Sequence, residues 1–158
     1  MSAWTANRAL DFNRKTSAES QRATLFWQFQ GQYNAVSGRF PPQLLNSRFQ
    51  PADGSEAYAK LEAYWMFCFA EYYATHQVNP EAFGELWDGY YVPLIADSLE
   101  IPSLRFVLED MIVTDKLKRG DWNKFLVEMA RIARLNDIPL GPAAERKVGE
   151  LKQSASGN

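Results

Sequence analysis

The chain has 158 residues but only one cysteine, Cys68, and one histidine, His76. A lone cysteine excludes an internal disulfide framework and a multi-cysteine zinc site, and a lone histidine argues against a histidine-rich metal site. The sequence also lacks a glycine-rich phosphate loop and a nucleophile elbow. No cofactor, metal or catalytic constellation is therefore predicted.

Long apolar runs are also missing. Charged residues such as Arg8, Asp11 and Arg14 interrupt the first twenty residues, so we predict no secretory signal. The most apolar stretch, residues 63–74, is about a dozen residues long, whereas a span of the bilayer needs ~20. We therefore expect a cytoplasmic protein without a transmembrane segment.

Charge of one sign is never concentrated in a long run. Residues 1–50 carry six Lys/Arg against two Asp/Glu, residues 51–110 carry two against eleven, and residues 111–158 carry nine against six. This zoning fits either ordinary solvated faces or separate patches for partners. The densest basic group lies within residues 116–124 and is sparse, so no nucleic-acid partner is expected.

Aromatic residues are abundant, with five Trp, seven Tyr and ten Phe. Between Ser55 and His76, apolar residues cover one helical face and most of the opposite side, and Glu71 is the only charge from residue 63 to residue 74. A helix that is apolar all round is normally enclosed by others. With no strand-period alternation in the chain, the pattern predicts an all-α, single-domain bundle of five to seven helices around this central aromatic-rich helix.

Cap and turn residues predict where the helices begin and end. Ser55 is expected to cap the central helix, and Pro93 is expected to kink or split a later one. Further signals are a short helix after Pro41-Pro42, an N-cap at Asn79 and a helix C-terminal turn at 118–120. Residues 1–142 are assigned to the bundle, and residues 143–158, weakly apolar, to a mobile tail.

Part of the chain resembles a family of uncharacterised bacterial all-helical domains, often associated with membranes. The matching features are the aromatic helix from Trp65 to Tyr73, Phe83-Gly-Glu-Leu-Trp87, Tyr90-Tyr91, Pro93, and Pro102-Ser-Leu-Arg105. They cover about a quarter to a third of the sequence. The resemblance implies an all-α fold and no assigned activity. A transmembrane helix often precedes this region in the family, and none is seen here.

Glu71 is the most informative polar residue because it interrupts an apolar helix. A desolvated carboxylate has a raised pKa and can act as an acid, a base or a ligand. The favoured interpretation, however, is a carboxylate at the edge of the bundle, or one paired with an arginine from another helix. An enzyme using Glu71 with tyrosine hydroxyls is the least favoured of three functional hypotheses.

Other candidate groups have simpler interpretations. Glu81, Glu85 and Asp88 share one helix face, which could hold a cation but is better interpreted as solvated. His76 is expected to cap a helix C-terminus, and Cys68 to be an inert core thiol. Their eight-residue separation disfavours a catalytic dyad.

The leading prediction is a non-enzymatic helical interaction protein, such as an adaptor, regulator or accessory subunit. It would bind a protein partner, or associate with itself, through an aromatic-rich face. The alternative is a bundle that binds a small molecule in an aromatic-lined cavity beside Trp65 and Trp87. The candidate binding residues are Trp65, Phe69, Glu71, Tyr72, Trp87, Tyr90 and Tyr91.

Overall fold

A computed structural model describes residues 3–78, 80–115, 117–118 and 120–156. This part of the chain is all-α and contains no strand, as predicted. The α-helices are α1 (Ala3–Ser37), α2 (Glu56–Tyr73), α3 (Pro80–Leu86), α4 (Val92–Glu100), α5 (Pro102–Thr114), α6 (Gly120–Leu135) and α7 (Pro142–Ser156). Two π-helical segments, Ala74–Val78 and Trp87–Tyr91, follow α2 and α3 without a break in the helical backbone.

Helix α1 is a single continuous helix rather than two. Thr16 and Glu19 have the spacing of a capping box, which can start a helix, but both lie inside α1, so no helix restarts there. Among the α1 side chains that the structure describes, from residue 13 onward, those at 13–17 are exposed and Phe29 is the first that is buried. The C-terminal half of α1 therefore joins the bundle, whereas residues 13–17 lie outside the core.

Helix α2 begins as the sequence predicts. The Ser55 hydroxyl accepts a hydrogen bond from the Tyr58 backbone amide at 3.1 Å, which satisfies one of the free amides of the first turn. Glu56 lies in that turn, where a negative charge is favourable, and it pairs with Lys60 at 2.7 Å. Asn79, the other predicted cap, lies outside the described residues.

The core is built around α2. Trp65 is fully buried, and its indole Nε1–H donates to the Leu104 backbone carbonyl at 2.8 Å, joining α2 to α5. Helices α1, α5 and α6 all pack against α2. The prediction of a bundle around a central aromatic-rich helix is confirmed, but α2 is not enclosed on every side, because Met66 and Tyr73 are exposed.

Pro93 splits a helix in the way that its chemistry requires. It is close to the start of α4, directly after the π-helical segment Trp87–Tyr91. Proline has no amide hydrogen and crowds the preceding turn, so the wider π-helical turn accommodates it. The predicted interruption is present, as a change from α- to π-helix and back.

Two turn predictions differ from the structure. Residues 41–45 form a turn rather than a short helix. Helix α5 ends at Thr114, before the predicted turn at 118–120, because Asp115 adopts a left-handed conformation (φ 44°) and its amide bonds to the Met111 carbonyl. Aspartate tolerates this conformation better than most residues, so no glycine is needed there. Gly120 instead opens α6.

The C-terminal segment also differs from the prediction. Residues 142–156 form α7, which packs against α5 and α6, in place of a mobile tail. Ala144, Val148 and Leu151 are buried. Their spacing of four and three residues makes one narrow apolar stripe, and this stripe holds an otherwise polar helix on the bundle.

Among the described residues, no helix is both long enough and apolar enough to cross a membrane.

Candidate functional site

The structure separates the predicted binding residues into three groups. Trp65, Tyr72 and Trp87 are core residues with little or no exposed surface. Glu71, Tyr90 and Tyr91 line an internal cavity next to α1. Phe69 alone lies near the outer surface of α2, where it is half-buried.

The internal cavity, which we call the Glu71 cavity, measures about 20 Å³. That volume holds about one water molecule. It lies where α1 meets α2, the second π-helical segment and α4. Its lining comprises Phe26, Phe29, Gln30, Tyr33, Tyr64, Phe67, Glu71, Tyr90, Tyr91, Leu94 and Ile95.

Glu71 is the only carboxylate in this lining and is 5 % exposed. Burial disfavours its charged form and raises the pKa of its carboxyl from 4.5 to about 8. No described residue donates a hydrogen bond or a positive charge to it, which would lower the pKa again. At neutral pH, Glu71 is therefore mostly protonated and uncharged.

The tyrosines around Glu71 differ in how their hydroxyls are satisfied. Tyr64 hydrogen-bonds to Ser98 at 2.6 Å, and Tyr90 donates to the Gln30 side chain at 2.9 Å. The Tyr91 hydroxyl is buried and has no hydrogen-bond partner among the described residues. Burial, followed by the nearby Glu71 charge, raises the pKa of Tyr91 well above its ordinary value. An unsatisfied hydroxyl beside an unpaired carboxyl is unusual in a packed interior.

The lone histidine belongs to a different cluster. His76 stacks on Tyr72, with ring centroids 4.2 Å apart, and its Nδ1 lies 3.0 Å from the Tyr72 carbonyl oxygen. The ring thus satisfies a carbonyl near the end of α2, in line with the predicted capping role. Cys68 is buried, and burial followed by the Glu71 charge raises the pKa of its thiol well above the ordinary value, so the thiol is unreactive.

Glu128 anchors the outer side of the buried Trp87. It accepts a hydrogen bond from the Trp87 indole at 3.2 Å and two from Arg131 at 2.6 and 2.7 Å. Burial alone would raise the pKa of Glu128, but these bonds outweigh it and hold the pKa below its ordinary value. The arrangement is a satisfied ion pair with no open ligand position.

The acidic face predicted on α3 does not form a metal centre in the described part of the chain. Glu85 pairs with Arg22 of α1 at 3.1 Å, and Asp88 is exposed. The side chain of Glu81 lies outside the described residues. Within what is described, no three His, Cys, Asp or Glu side chains converge on a position for a metal ion.

The sequence prediction missed an apolar groove on the opposite side of α2. Its lining residues come from α2, α5, the following turn and α6: Glu62, Met66, Met111, Leu117 and Trp122. We call it the Met66 groove; its volume is about 90 Å³. Met66 is 37 % exposed and Leu117 is 40 % exposed. Trp122 is buried, and its Nε1–H has no hydrogen-bond partner among the described residues.

Aromatic and acidic groups border this groove at opposite ends. Phe69 packs edge-to-face on Trp122 at 5.1 Å and also contacts Tyr73, which is 41 % exposed. Toward the start of α2, Tyr58 hydrogen-bonds to Asp110. Burial, then the bond and charge of Asp110, then the charges of Glu62 and Asp53, raise the pKa of Tyr58. These carboxylates therefore all lie near the Tyr58 hydroxyl, and Glu62 is the one that lines the groove.

Comparison with known proteins finds no matching family, no similar curated protein and no solved structure of similar fold.

The resemblance to bacterial helical domains over residues 65–105 thus stays a prediction, and the chemistry of the two sites is all that bears on function. The Glu71 cavity joins a buried carboxyl, an unsatisfied hydroxyl and several aromatic rings in a very small space. The Met66 groove offers thioether, aliphatic and aromatic surface beside a cluster of carboxylates. The first arrangement suits a small polar group, and the second suits an apolar side chain from a partner.

Proposed function

We propose that this chain is a non-enzymatic interaction protein that binds a partner protein through the Met66 groove. The exposed apolar surface at the groove carries the proposal. Met66 and Leu117 leave more than a third of their surfaces open beside a concave space, although the same chain encloses most of its large apolar residues. Concave apolar surface of this kind is typical of binding sites.

The size of the groove indicates what it accepts. About 90 Å³ is less than the roughly 150 Å³ of a cavity that holds benzene. It fits one aliphatic side chain better than an aromatic ring. Methionine side chains adapt their shape to different apolar groups, so Met66 and Met111 can close around such an anchor.

The charge beside the groove favours a basic partner. Glu62 lies in the lining, and Asp110 and Asp53 act on the same Tyr58 hydroxyl. Glu62 and Met66, two of the five lining residues, come from the acidic zone of the sequence, where residues 51–110 carry eleven Asp/Glu against two Lys/Arg. An apolar groove with acidic borders is complementary to a basic amphipathic helix, which inserts an apolar anchor and places its Lys or Arg over the carboxylates.

Phe69 and Tyr73 supply the aromatic part of the surface. They continue the groove along α2 through their mutual contact at 6.3 Å. Tyrosine at the margin of an apolar pocket is a common source of binding energy, because it contributes a large rigid ring and a hydroxyl. The proposed aromatic-rich face is therefore the outer surface of α2 from Met66 to Tyr73, and Trp65, Tyr72 and Trp87 are not part of it.

A designed peptide tests this proposal directly. The probe is an acetylated peptide of about 18 residues, long enough to form a helix, with leucines at helical spacing and lysines elsewhere. Isothermal titration calorimetry measures its affinity for the wild-type chain and for L117D. We expect L117D to bind at least about tenfold more weakly, a loss of ~1.4 kcal/mol.

The matched control is L135D, which changes another exposed leucine on the same helical hairpin. Leu135 ends α6, roughly 20 Å along the helix from Trp122. The L135D variant should bind the peptide as tightly as the wild type does. Both variants should keep the circular-dichroism spectrum of a helical protein. Equal binding by L117D, or equal binding of a peptide in which glutamates replace the lysines, would refute the proposal.

The alternative function, small-molecule binding in an aromatic-lined cavity, rests on a different observation. An aromatic-lined cavity exists at Glu71 rather than beside Trp65 and Trp87. Its volume of about 20 Å³ is far below the roughly 150 Å³ that holds benzene. An aromatic ligand would require α1 to move away, so only a very small group fits the cavity as it stands.

A further inference from the structure

We propose that the Glu71 cavity is a binding site for a primary alkylammonium group, with the –NH₃⁺ head inside and the alkyl chain leading outward. This site is separate from the Met66 groove, and neither proposal depends on the other. Three features of the cavity support it: a surrounding belt of aromatic rings, a carboxyl group with no cation, and a space of matching size.

The aromatic belt is continuous. Phe26 contacts Tyr90, Tyr90 contacts Tyr91, Tyr91 contacts Phe29, Phe29 contacts Phe67, and Phe67 contacts Tyr33. Ring centroids along this series are 4.9 to 6.4 Å apart, and all six rings line the cavity. Aromatic faces attract cations within about 6 Å of the ring centre, and sites for ammonium groups are commonly built from several such rings.

The charge balance favours a positive ligand. Glu71 is the one carboxylic acid in the lining, and no Lys, Arg or His is among the lining residues. The other titratable groups near it, from each surrounding element, are acids rather than bases and so bring no positive charge: Tyr33 on α1, Tyr64 and Cys68 on α2, and Tyr90 and Tyr91 in the second π-helical segment. Gln30 and Ser98 add uncharged polar groups from α1 and α4. A cation that binds here would hold the Glu71 carboxyl in its ionised form and would meet no competing positive charge among the lining residues.

The hydrogen-bond pattern leaves acceptors available. The Glu71 carboxylate is unpaired, and the Tyr91 oxygen is buried without a partner among the described residues. A primary ammonium has three N–H donors. Two of them can reach the acceptors that the fold leaves unused.

The dimensions select the head group. A cavity of about 20 Å³ admits one water-sized group such as –NH₃⁺ and leaves no space for a quaternary ammonium. Gln30, Tyr33 and Tyr90 are half-buried and Leu94 is 37 % exposed, so this side of the cavity lies near the surface. The alkyl chain would leave past Leu94.

The test measures the pKa of Glu71 by ¹³C NMR of its side-chain carboxyl. The titration is run in n-butylammonium chloride and in sodium chloride at equal ionic strength. Because the ammonium binds the ionised form, we expect the pKa to fall by about one unit once the ligand exceeds its Kd about tenfold. If the cavity holds a single water molecule instead of the cation, the pKa of Glu71 will be the same in both salts. That result would overturn the proposal.

Two controls separate this site from general salt effects. At pH 8.5, n-butylammonium should raise the melting temperature of the wild type but not of E71Q, whose side chain keeps its shape and loses its charge. Tetramethylammonium should raise the melting temperature of neither protein, because this ion is larger than the cavity. An equal rise in E71Q, or an equal effect of tetramethylammonium, would refute the site.

The source of the ammonium group is distinguished by a third ligand. Nα-acetyl-lysinamide carries the same head on a chain joined to a peptide backbone. Binding of this compound together with n-butylammonium assigns the site to a lysine side chain, whereas binding of n-butylammonium alone assigns it to a free amine. If neither compound binds, the proposal is refuted.

Discussion

Replacement of Glu71 by glutamine should change how the stability of the protein depends on pH. Glu71 is 5 % exposed, and burial raises the pKa of its carboxyl to about 8 in the folded chain, against 4.5 in the unfolded one. The folded state therefore holds its proton over a pH range in which the unfolded state releases it. Glutamine has nearly the same shape and does not titrate, so it removes this difference.

The magnitude follows from linkage. Because the pKa is higher in the folded state, the contribution of Glu71 to stability is fully present below pH 4.5 and is lost as pH rises toward 8. Each pKa unit is worth about 1.4 kcal/mol. From pH 5 to pH 8, the wild type should lose about 3–4 kcal/mol relative to E71Q, and the difference should level off above pH 8.

The assay is urea unfolding of both proteins, followed by circular dichroism at pH 5, 6, 7 and 8. Other groups titrate equally in the two proteins, so the difference between their unfolding free energies isolates Glu71. Sodium chloride is used throughout, to avoid ammonium ions. A difference that stays constant between pH 5 and pH 8 would refute the burial argument, and equal m-values would confirm that both proteins unfold over the same surface.

The remaining predictions concern stability elsewhere in the fold. Removing the Ser55 cap with S55A should lower the free energy of unfolding by ~1 kcal/mol in urea titration, since one first-turn amide loses its acceptor. Leu151→Ala should lower the free energy of unfolding by roughly 2–5 kcal/mol, because the Leu151 side chain is on the buried face of α7. Gln153 is exposed on the same helix, so Gln153→Ala should change the free energy of unfolding by less than about 0.5 kcal/mol. Equal effects of these two substitutions would mean that α7 is not packed in solution. Leu126→Ala, in the centre of α6, should cost roughly as much as Leu151→Ala, as thermal unfolding can show.

The helical periodicity of the sequence predicted the fold class and the central helix correctly. Trp65 and its neighbours repeat at helical spacing, Ser55 supplies a cap, and Pro93 marks an interruption. Each of these signals comes from residues that are close together in the sequence, so each can be recognised without knowledge of the tertiary structure. The stripe of Ala144, Val148 and Leu151 was overlooked because three small or medium apolar residues in a polar segment give only a weak periodic signal.

The position of the sites depended on tertiary contacts that the sequence pattern does not contain. A helix that is apolar on all sides predicts burial on all sides, so Met66 was expected to be enclosed; its exposure depends on where the turn after α5 places Leu117. Glu71 was identified from sequence as a candidate, but its isolation depends on which residues of α1 pack over it. Nothing in the spacing of α2 indicates that Phe29 and Gln30 are those residues.

The length of α1 has a consequence for dynamics. Its 35 residues extend about 50 Å, and the side chains at 13–17 face solvent. Isolated helical turns are marginally stable in water, so the backbone amides of this projecting arm should exchange with deuterium well before those of residues 25–37. We therefore expect residues 13–17 to unwind and reform while the body of the bundle stays folded.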